Sequence, residues 1–371
     1  MIFEKSILPI YVKASIFFVG LSALLAILYI AQNIIVPIVF SFILAILLSP
    51  VVNLFVRIKI NRIFSIIITL LLTILVIFGF CLFIYTQASS FSESWPIFVN
   101  KFTIILNDVI TSASHYLNMQ PSNMHAWITK TQSELINING AFIGQTIVGV
   151  GSTISNLVLV PVYIFVMLYY QPILIEFIHR LFNEEHQPQV SAIVTQTKSV
   201  IQHYLVGLLI EALIVGTLNS VGLLMLGIQY AILLGVLGAI LNMIPYIGGI
   251  IAVAVFMMVA LVTKSSPWFA LYVFGVHTFI QVIDNDFIVP KIVASKVKIN
   301  ALFSIIVVLV GNALWGIPGM FLSIPLLAII KVICDHIESL KPLGFLLGDT
   351  MPPLIQIKKI YKRKKLSSVD S

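Results

Sequence analysis

Charged residues and cysteines are both scarce in this sequence. Only 9% of the 371 residues are Asp, Glu, Lys or Arg, and the two cysteines are Cys81 and Cys334. Two cysteines cannot build a disulfide framework or a cysteine-based metal site. The chain also lacks a His-Glu-x-x-His metalloprotease motif, a Gly-x-Ser-x-Gly hydrolase motif and a nucleotide-binding P-loop. We therefore expect no enzymatic activity, no cofactor and no resident metal.

Apolar residues take the place of the missing charges. They make up 60% of the chain, and the mean hydropathy is +1.09, which is far from the composition of soluble domains. A membrane-spanning helix needs about 20 apolar residues, and five stretches meet this length. They are Ala14 to Ala31, Ile34 to Val56, Ile63 to Thr86, Gly149 to Tyr170 and Gly207 to Ile228, the last containing Glu211.

Two further apolar segments, 229–263 and 299–333, are each interrupted near the middle by proline and glycine. Hydrocarbon tolerates a broken helix only where protein or a water-filled cavity supplies hydrogen-bond partners. Each half has about 16 residues and reaches roughly 24 Å as a helix, short of the roughly 30 Å hydrocarbon core. The segments therefore form either two re-entrant hairpins beside about six full spans, or kinked single crossings that give eight spans.

Basic residues in short loops predict the orientation, because such loops stay in the cytoplasm. Lys5 and Lys13 precede the first span, and Arg57, Lys59 and Arg62 lie between the second and third. A tail with six basic residues between 358 and 365 favours contact with anionic lipids. No nucleic-acid motif accompanies it. We predict an all-α polytopic membrane protein with both termini in the cytoplasm.

The predicted organisation has six regions. An amphipathic periodicity predicts helices between 98 and 116 and between 190 and 204, the second continuing into the fifth span. The regions are 1–86 with three spans, 87–148 as an extracytoplasmic helical insert, 149–170 as the fourth span, 171–206 as cytoplasmic amphipathic helices, 207–335 as a motif-rich transport region, and 336–371 as a basic cytoplasmic tail.

The transport region reads as two units of opposite orientation, about 205–263 and 267–333, each a span followed by a broken segment. This inverted-repeat plan is common in secondary transporters. Asn242 and Asn312 occupy matching places in the two units, each followed within six residues by proline. We predict that the path for a small polar solute lies between the two breaks.

Ionisable and amide side chains mark the candidate path. Glu211 lies in the fifth span, and His277, Gln281, Asp284 and Asn285 recur at three- and four-residue steps on one helical face. Ionisable residues inside spans usually face a cavity or a partner. Other interpretations of these residues are possible. Glu211 can instead reach water at the membrane interface, and Asp284 and Asn285 can instead mark the point where the helix leaves the membrane. The positions that we expect to shape the backbone are Pro245, Gly248, Gly249, Pro290, Gly316, Pro318 and Gly319.

The motifs in this region resemble a known family. They are Ile244-Pro245-Tyr246-Ile247-Gly248, then Gln281-x-x-Asp284-Asn285 and Pro290-Lys291-Ile292, then Gly311, Gly316, Gly319 and Pro325. Together they resemble the autoinducer-2 exporter family of bacterial membrane transporters. Two positions depart from the family pattern, which often has Glu at 284 and Gly-Pro at 248–249.

The resemblance implies a multi-pass protein of the bacterial inner membrane that exports a small molecule such as autoinducer-2. It also implies a homo-oligomer, with a pentamer as one form, and either proton or sodium coupling. A sodium/proton antiporter of the same family is a second hypothesis. The sequence is also compatible with a passive channel and with a non-transporting membrane scaffold or lipid-binding protein.

Overall fold

The computed structural model describes residues 9–117, 159–245, 247–293 and 299–349. The predictions for the rest of the insert, for the start of the fourth span and for the basic tail lie outside these residues. So do Tyr246 of the first motif and the loop lysines Lys296 and Lys298.

Within the described residues the fold is almost entirely helical, with one isolated antiparallel bridge between Ile299 and Gly348. The helices are α1 (Ile10–Ile30), α2 (Gln32–Arg57), α3 (Arg62–Leu117), α4 (Leu159–Arg180), α5 (Gln187–Met225), α6 (Ala231–Asn242), α7 (Ile247–Thr263), α8 (Trp268–Ile283), α9 (Ala301–His336) and α10 (Lys341–Leu347). A π-helical segment, Asp284–Val293, continues α8. Among the described helices, α1 to α5 and α9 are long and apolar enough to cross a membrane.

The first helices have the exposed apolar surface expected of membrane spans. No described side chain of α1 is buried, and large apolar residues such as Phe17, Phe18 and Ile30 are more than 60% exposed. Exposing such an apolar surface to water is unfavourable, whereas contact with the hydrocarbon of a membrane is not. The chain is therefore a multi-pass membrane protein, as the composition predicted.

The third helix is much longer than the predicted span. It continues through residues 87–117, so the predicted helix at 98–116 is an extension of α3 and not a separate element. In this extension Phe91 and Phe98 contact Tyr230, with ring centroids 5.3 and 6.0 Å away. The extension thereby packs on the turn between α5 and α6.

The first broken segment folds back on itself between α6 and α7, and we call this pair the first hairpin. Helix α6 ends at Asn242, three residues before Pro245, which lacks the amide proton that a helix interior needs. The two arms touch where Gly248 meets Leu241, since a Cβ at Gly248 would lie 1.8 Å from the Leu241 carbonyl oxygen. Further along the arms, the Phe256 ring lies against Gly238.

The second broken segment also folds back, at Gly316 within α9, and we call its arms (301–315 and 317–336) the second hairpin. Gly316 has φ 63° and ψ −141°, a backbone conformation that residues with a Cβ rarely adopt. Across the arms, the Ser323 hydroxyl donates to the Val307 carbonyl oxygen at 2.9 Å. A Cβ on Gly319 would lie only 2.0 Å from the Gly311 carbonyl oxygen. The arms are therefore antiparallel and closely packed.

Helices α5 to α8 form a four-helix unit around a shared apolar core. Leu223 of α5, Leu234 of α6, Phe256 and Val259 of α7, and Val273 of α8 are each at most 2% exposed and belong to one cluster. As predicted, α5 runs without interruption from the amphipathic residues after 187 into the fifth span. This unit holds the polar side chains described next.

Candidate functional site

A cluster of four polar side chains lies inside the α5–α8 unit, and Asn242 is its centre. The Asn242 side-chain amide donates to Glu211 Oε1 at 3.1 Å and to Asp284 Oδ2 at 2.8 Å. Its carbonyl oxygen accepts from Gln281 Nε2 at 3.2 Å. We call these four residues the Asn242 cluster. It brings together side chains from α5, α6, α8 and the π-helical segment.

The position of the cluster follows from the break in the first hairpin. Helix α6 ends at Asn242 because Pro245 follows, so the last residue of this arm presents its side chain at the hairpin tip. Glu211 is 6% exposed and Asp284 is 1% exposed, which places both carboxyl groups in the interior of the unit. Both carboxyl groups are therefore held by protein contacts.

No cation within the described residues pairs with the carboxyl groups of the cluster. Among the described residues, three ion pairs are present, and all three involve other residues, near the ends of α4, α9 and α10. Within the same residues Asp284 Oδ1 and Gln281 Oε1 are buried oxygen atoms without a hydrogen-bond donor. Buried acceptor oxygens carry a substantial desolvation cost when no donor or cation meets them.

A second polar layer lies two helical turns away along α5 and α8. His277 Nδ1 lies 3.1 Å from Asn219 Oδ1, and the Asn219 amide donates to the Val215 carbonyl oxygen at 3.0 Å. His277 also meets the Phe256 ring edge to face, with centroids 5.4 Å apart. Both polar side chains are buried. Asn219 was not among the predicted site residues, although its eight-residue spacing from Glu211 places it on nearly the same face.

The two layers approach each other at the start of α7. The Gln281 amide packs on Gly249, where a Cβ would lie 3.5 Å from it. Gly249 follows the α6–α7 break directly, one residue after Gly248, which contacts Leu241 of the other arm. Polar groups thus follow one another along the α5–α8 interface from Glu211 to Asn219.

Three predicted residues do not join these layers. Asn285 is exposed, because the π-helical segment begins at residue 284 and turns the following side chains away from the face set by His277 and Gln281. Asn312 is exposed on the first arm of the second hairpin and has no hydrogen-bond partner for its side chain among the described residues. Pro290 is also exposed.

The predicted backbone-shaping residues concentrate at the two hairpin tips. Pro245, Gly248 and Gly249 lie at the first tip, and Gly316, Pro318 and Gly319 lie at the second. At the second tip the Trp315 indole donates to the Leu28 carbonyl oxygen of α1 at 3.0 Å. This bond ties the second hairpin to the first helix.

The described part of the chain has no cluster of three or more His, Cys, Asp or Glu side chains, the kind of group that binds a divalent metal ion. The Asn242 cluster offers two carboxyl groups and two amides instead. Such a set of oxygen atoms suits a proton, a monovalent cation or a polar solute.

Helices with lipid-exposed surfaces, two broken hairpins and buried carboxyl groups at the tip of the first hairpin define a membrane protein of the transporter class. The AI-2E family transporter model matches residues 18–339. The chain belongs to the AI-2E transporter family, and the resemblance read from its motifs is confirmed.

Individual relatives agree with this assignment. YrrI of Bacillus subtilis (strain 168) is 25% identical over 67% of this chain and 70% of its own length. YhhT of Escherichia coli (strain K12) is 24% identical over 90% of this chain and 93% of its own. PerM of the same strain is 26% identical over 62% and 67%. The first two carry provisional names as transport proteins and the third as a permease, which indicates a transporter and not an enzyme.

Proposed function

We propose that this protein is a secondary transporter that exports a small polar solute by alternating access, with the path between the two hairpins. The observation that supports it most is the Asn242 cluster. In it, two carboxyl groups from different helices share one amide at the tip of a broken hairpin. Two buried carboxyl groups do not stabilise a purely structural helix junction, because each loses hydration on burial. In a transport site they can bind the ion or solute.

The arm lengths support a re-entrant placement of the first hairpin, and we extend this placement to the second. Helices α6 and α7 have 12 and 17 residues, which corresponds to roughly 18 and 26 Å. The core to be crossed is roughly 30 Å thick. Because the arms of each hairpin are antiparallel, each returns to the side from which it entered. The loop charges support cytoplasmic termini, and membership of a bacterial transporter family supports a location in the inner membrane.

The carboxyl groups are suited to ion coupling. Glu211 and Asp284 both contact Asn242, so two negative charges there would repel each other in a poorly hydrated interior. A proton or a sodium ion relieves this repulsion and meets the Asp284 and Gln281 oxygen atoms that lack donors. Binding of the ion therefore changes the hydrogen bonds of the hairpin tip. His277 and Asn219 extend the polar route beyond the cluster.

The solute is a small polar molecule of the autoinducer-2 type or another of similar size. The same carboxyl pair favours one second candidate function, sodium/proton antiport, in which the ions are the only cargo. Within the proposal, copies of the chain assemble as a homo-oligomer such as a pentamer, and the basic tail contacts anionic lipids.

Flux into proteoliposomes tests the proposal. Purified protein is reconstituted, proton or sodium gradients are imposed, and accumulation of autoinducer-2 is compared with that of unrelated small polar solutes. The variants Asp284→Asn and Glu211→Gln remove one charge each, and Glu176→Gln is the matched control because Glu176 is an exposed residue of α4.

We expect gradient-driven solute accumulation that both cluster variants abolish and the control retains. Normal flux in both cluster variants would remove ion coupling from the proposal. Exchange of sodium for protons without solute movement would favour the antiporter. Downhill flux alone would indicate a passive channel, and absence of any flux from folded protein would indicate a scaffold.

A further inference from the structure

A large cavity lies apart from the Asn242 cluster, between α2, α4, the first half of α5 and the end of α9. Its volume is about 960 Å³, and most of its wall is apolar. The deep end is formed by Phe42, Ile46 and Met167, and Lys198 lies close to it, because Gln202, one helical turn further along α5, donates to the Ile46 carbonyl oxygen at 2.7 Å. Asn183, His186 and Ser339 line the opposite end. We call it the α4–α5 cavity.

The cavity is elongated along the helices. Its α4 wall runs from Met167 to Leu181, which corresponds to roughly 20 Å at the helical rise. The apolar deep end, the lysine beside it and the polar outer end match the acyl chain, the phosphate and the polar headgroup of a lipid molecule, in that order.

One cation of the cavity wall lacks a counter-charge within the described residues. Lys198 lines the cavity, is half-buried and has no ion pair or hydrogen bond among the described residues. Glu338 also lines it, but its carboxylate is paired with Lys341. Behind the wall, Arg62 donates to the Leu168 carbonyl oxygen at 2.7 Å and to Gln171 Oε1 at 3.3 Å, and both acceptors belong to lining residues. Arg62 Nε is buried without a partner among the described residues.

We propose that the α4–α5 cavity binds an anionic phospholipid, with an acyl chain in the apolar end and the phosphate at Lys198. The apolar wall accommodates the acyl chain, and the unpaired Lys198 explains the preference for an anionic headgroup. The chain's own basic tail fits less well, because its six basic residues between 358 and 365 repeat the charge of the cavity. The site does not depend on the solute or on ion coupling.

Lipid binding to the delipidated full-length protein tests this assignment. Native mass spectrometry in detergent compares phosphatidylglycerol with phosphatidylcholine of the same acyl chains, and inorganic phosphate is added in a separate arm. The variants are Lys198→Gln and, as a charge-matched control on exposed α1, Lys13→Gln. Ala45→Trp fills the deep end of the cavity.

We expect the wild type and the Lys13 variant to prefer phosphatidylglycerol by about fivefold, the factor expected for one lysine near an anionic headgroup. The Lys198 variant should bind the two lipids equally, and Ala45→Trp should bind less of both. Binding of inorganic phosphate that competes with the lipid would show that the headgroup alone is recognised, and would overturn the assignment of the acyl chain.

Retained preference in the Lys198 variant would also refute the proposal, as would wild-type protein that binds no lipid. A photo-crosslinking residue at Ile193, which lines the cavity, provides a second readout if Ala45→Trp does not fold. It should label phosphatidylglycerol. Labelling of the chain's own tail or of a second copy would assign the cavity to that occupant instead.

Discussion

Replacing Gly319 with alanine tests the closest contact in the second hairpin. The new Cβ would lie 2.0 Å from the Gly311 carbonyl oxygen, whereas real Cβ atoms essentially never come within 3.0 Å of such an atom. The arms must therefore separate by about 1 Å. Overpacking of this kind costs about 1 to 3 kcal/mol. We expect Gly319→Ala to lower the melting temperature by several degrees.

Gly275→Ala in α8 is the matched control, because a Cβ there meets nothing within 4 Å. Alanine in a helix interior is favoured over glycine by about 0.5 to 1 kcal/mol, so this variant should be as stable as the wild type or more so. The melting temperature is measured in detergent by loss of the monodisperse size-exclusion peak on heating. Equal stability of the two variants would refute the close packing of the arms.

Three further substitutions test the hydrogen bonds of single side chains. Asn242→Ala removes the amide shared by two carboxyl groups, worth about 1.5 to 3 kcal/mol for each charged partner, and should abolish gradient-driven flux; normal flux would exclude the cluster from the path. Ser323→Ala removes the bond between the arms and should cost about 0.5 to 1.5 kcal/mol, whereas Ser15→Ala, exposed on α1, should change the melting temperature little. Trp315→Phe keeps an aromatic ring but removes the bond to Leu28, and a loss of about 1 kcal/mol is expected; an unchanged melting temperature would show that this bond does not hold α1.

The features that could be predicted from the sequence are those that the chain encodes locally. Proline and glycine act on the backbone at their own positions, so the breaks at Pro245 and Gly316 were visible without any partner. The first membrane spans could be predicted in the same way, from the length of their apolar stretches. The continuation of α3 beyond its predicted end was harder, because a long helix outside the membrane depends on what it packs against, here the turn at Tyr230.

The site was predictable only in part, because it depends on contacts between distant segments. A regular helical spacing correctly placed His277, Gln281 and Asp284 toward the interior. It misplaced Asn285, since a π-helical segment changes the number of residues per turn. The role of Asn242 as the shared donor required the hairpin to fold, since its partners lie 31 and 42 residues away along the chain.

Asn242 connects the chemistry of the cluster to the conformation of the first hairpin. Its side chain holds Glu211 and Asp284, and its backbone forms the last turn of α6 before Pro245. A proton or cation that binds a carboxyl group competes with this amide, and the end of α6 has few backbone bonds to oppose a shift. Within the proposed function, ion binding can therefore move the hairpin tip directly. Coupling then requires no relay through distant parts of the protein, which is why the Asn242 variant should lose gradient-driven flux.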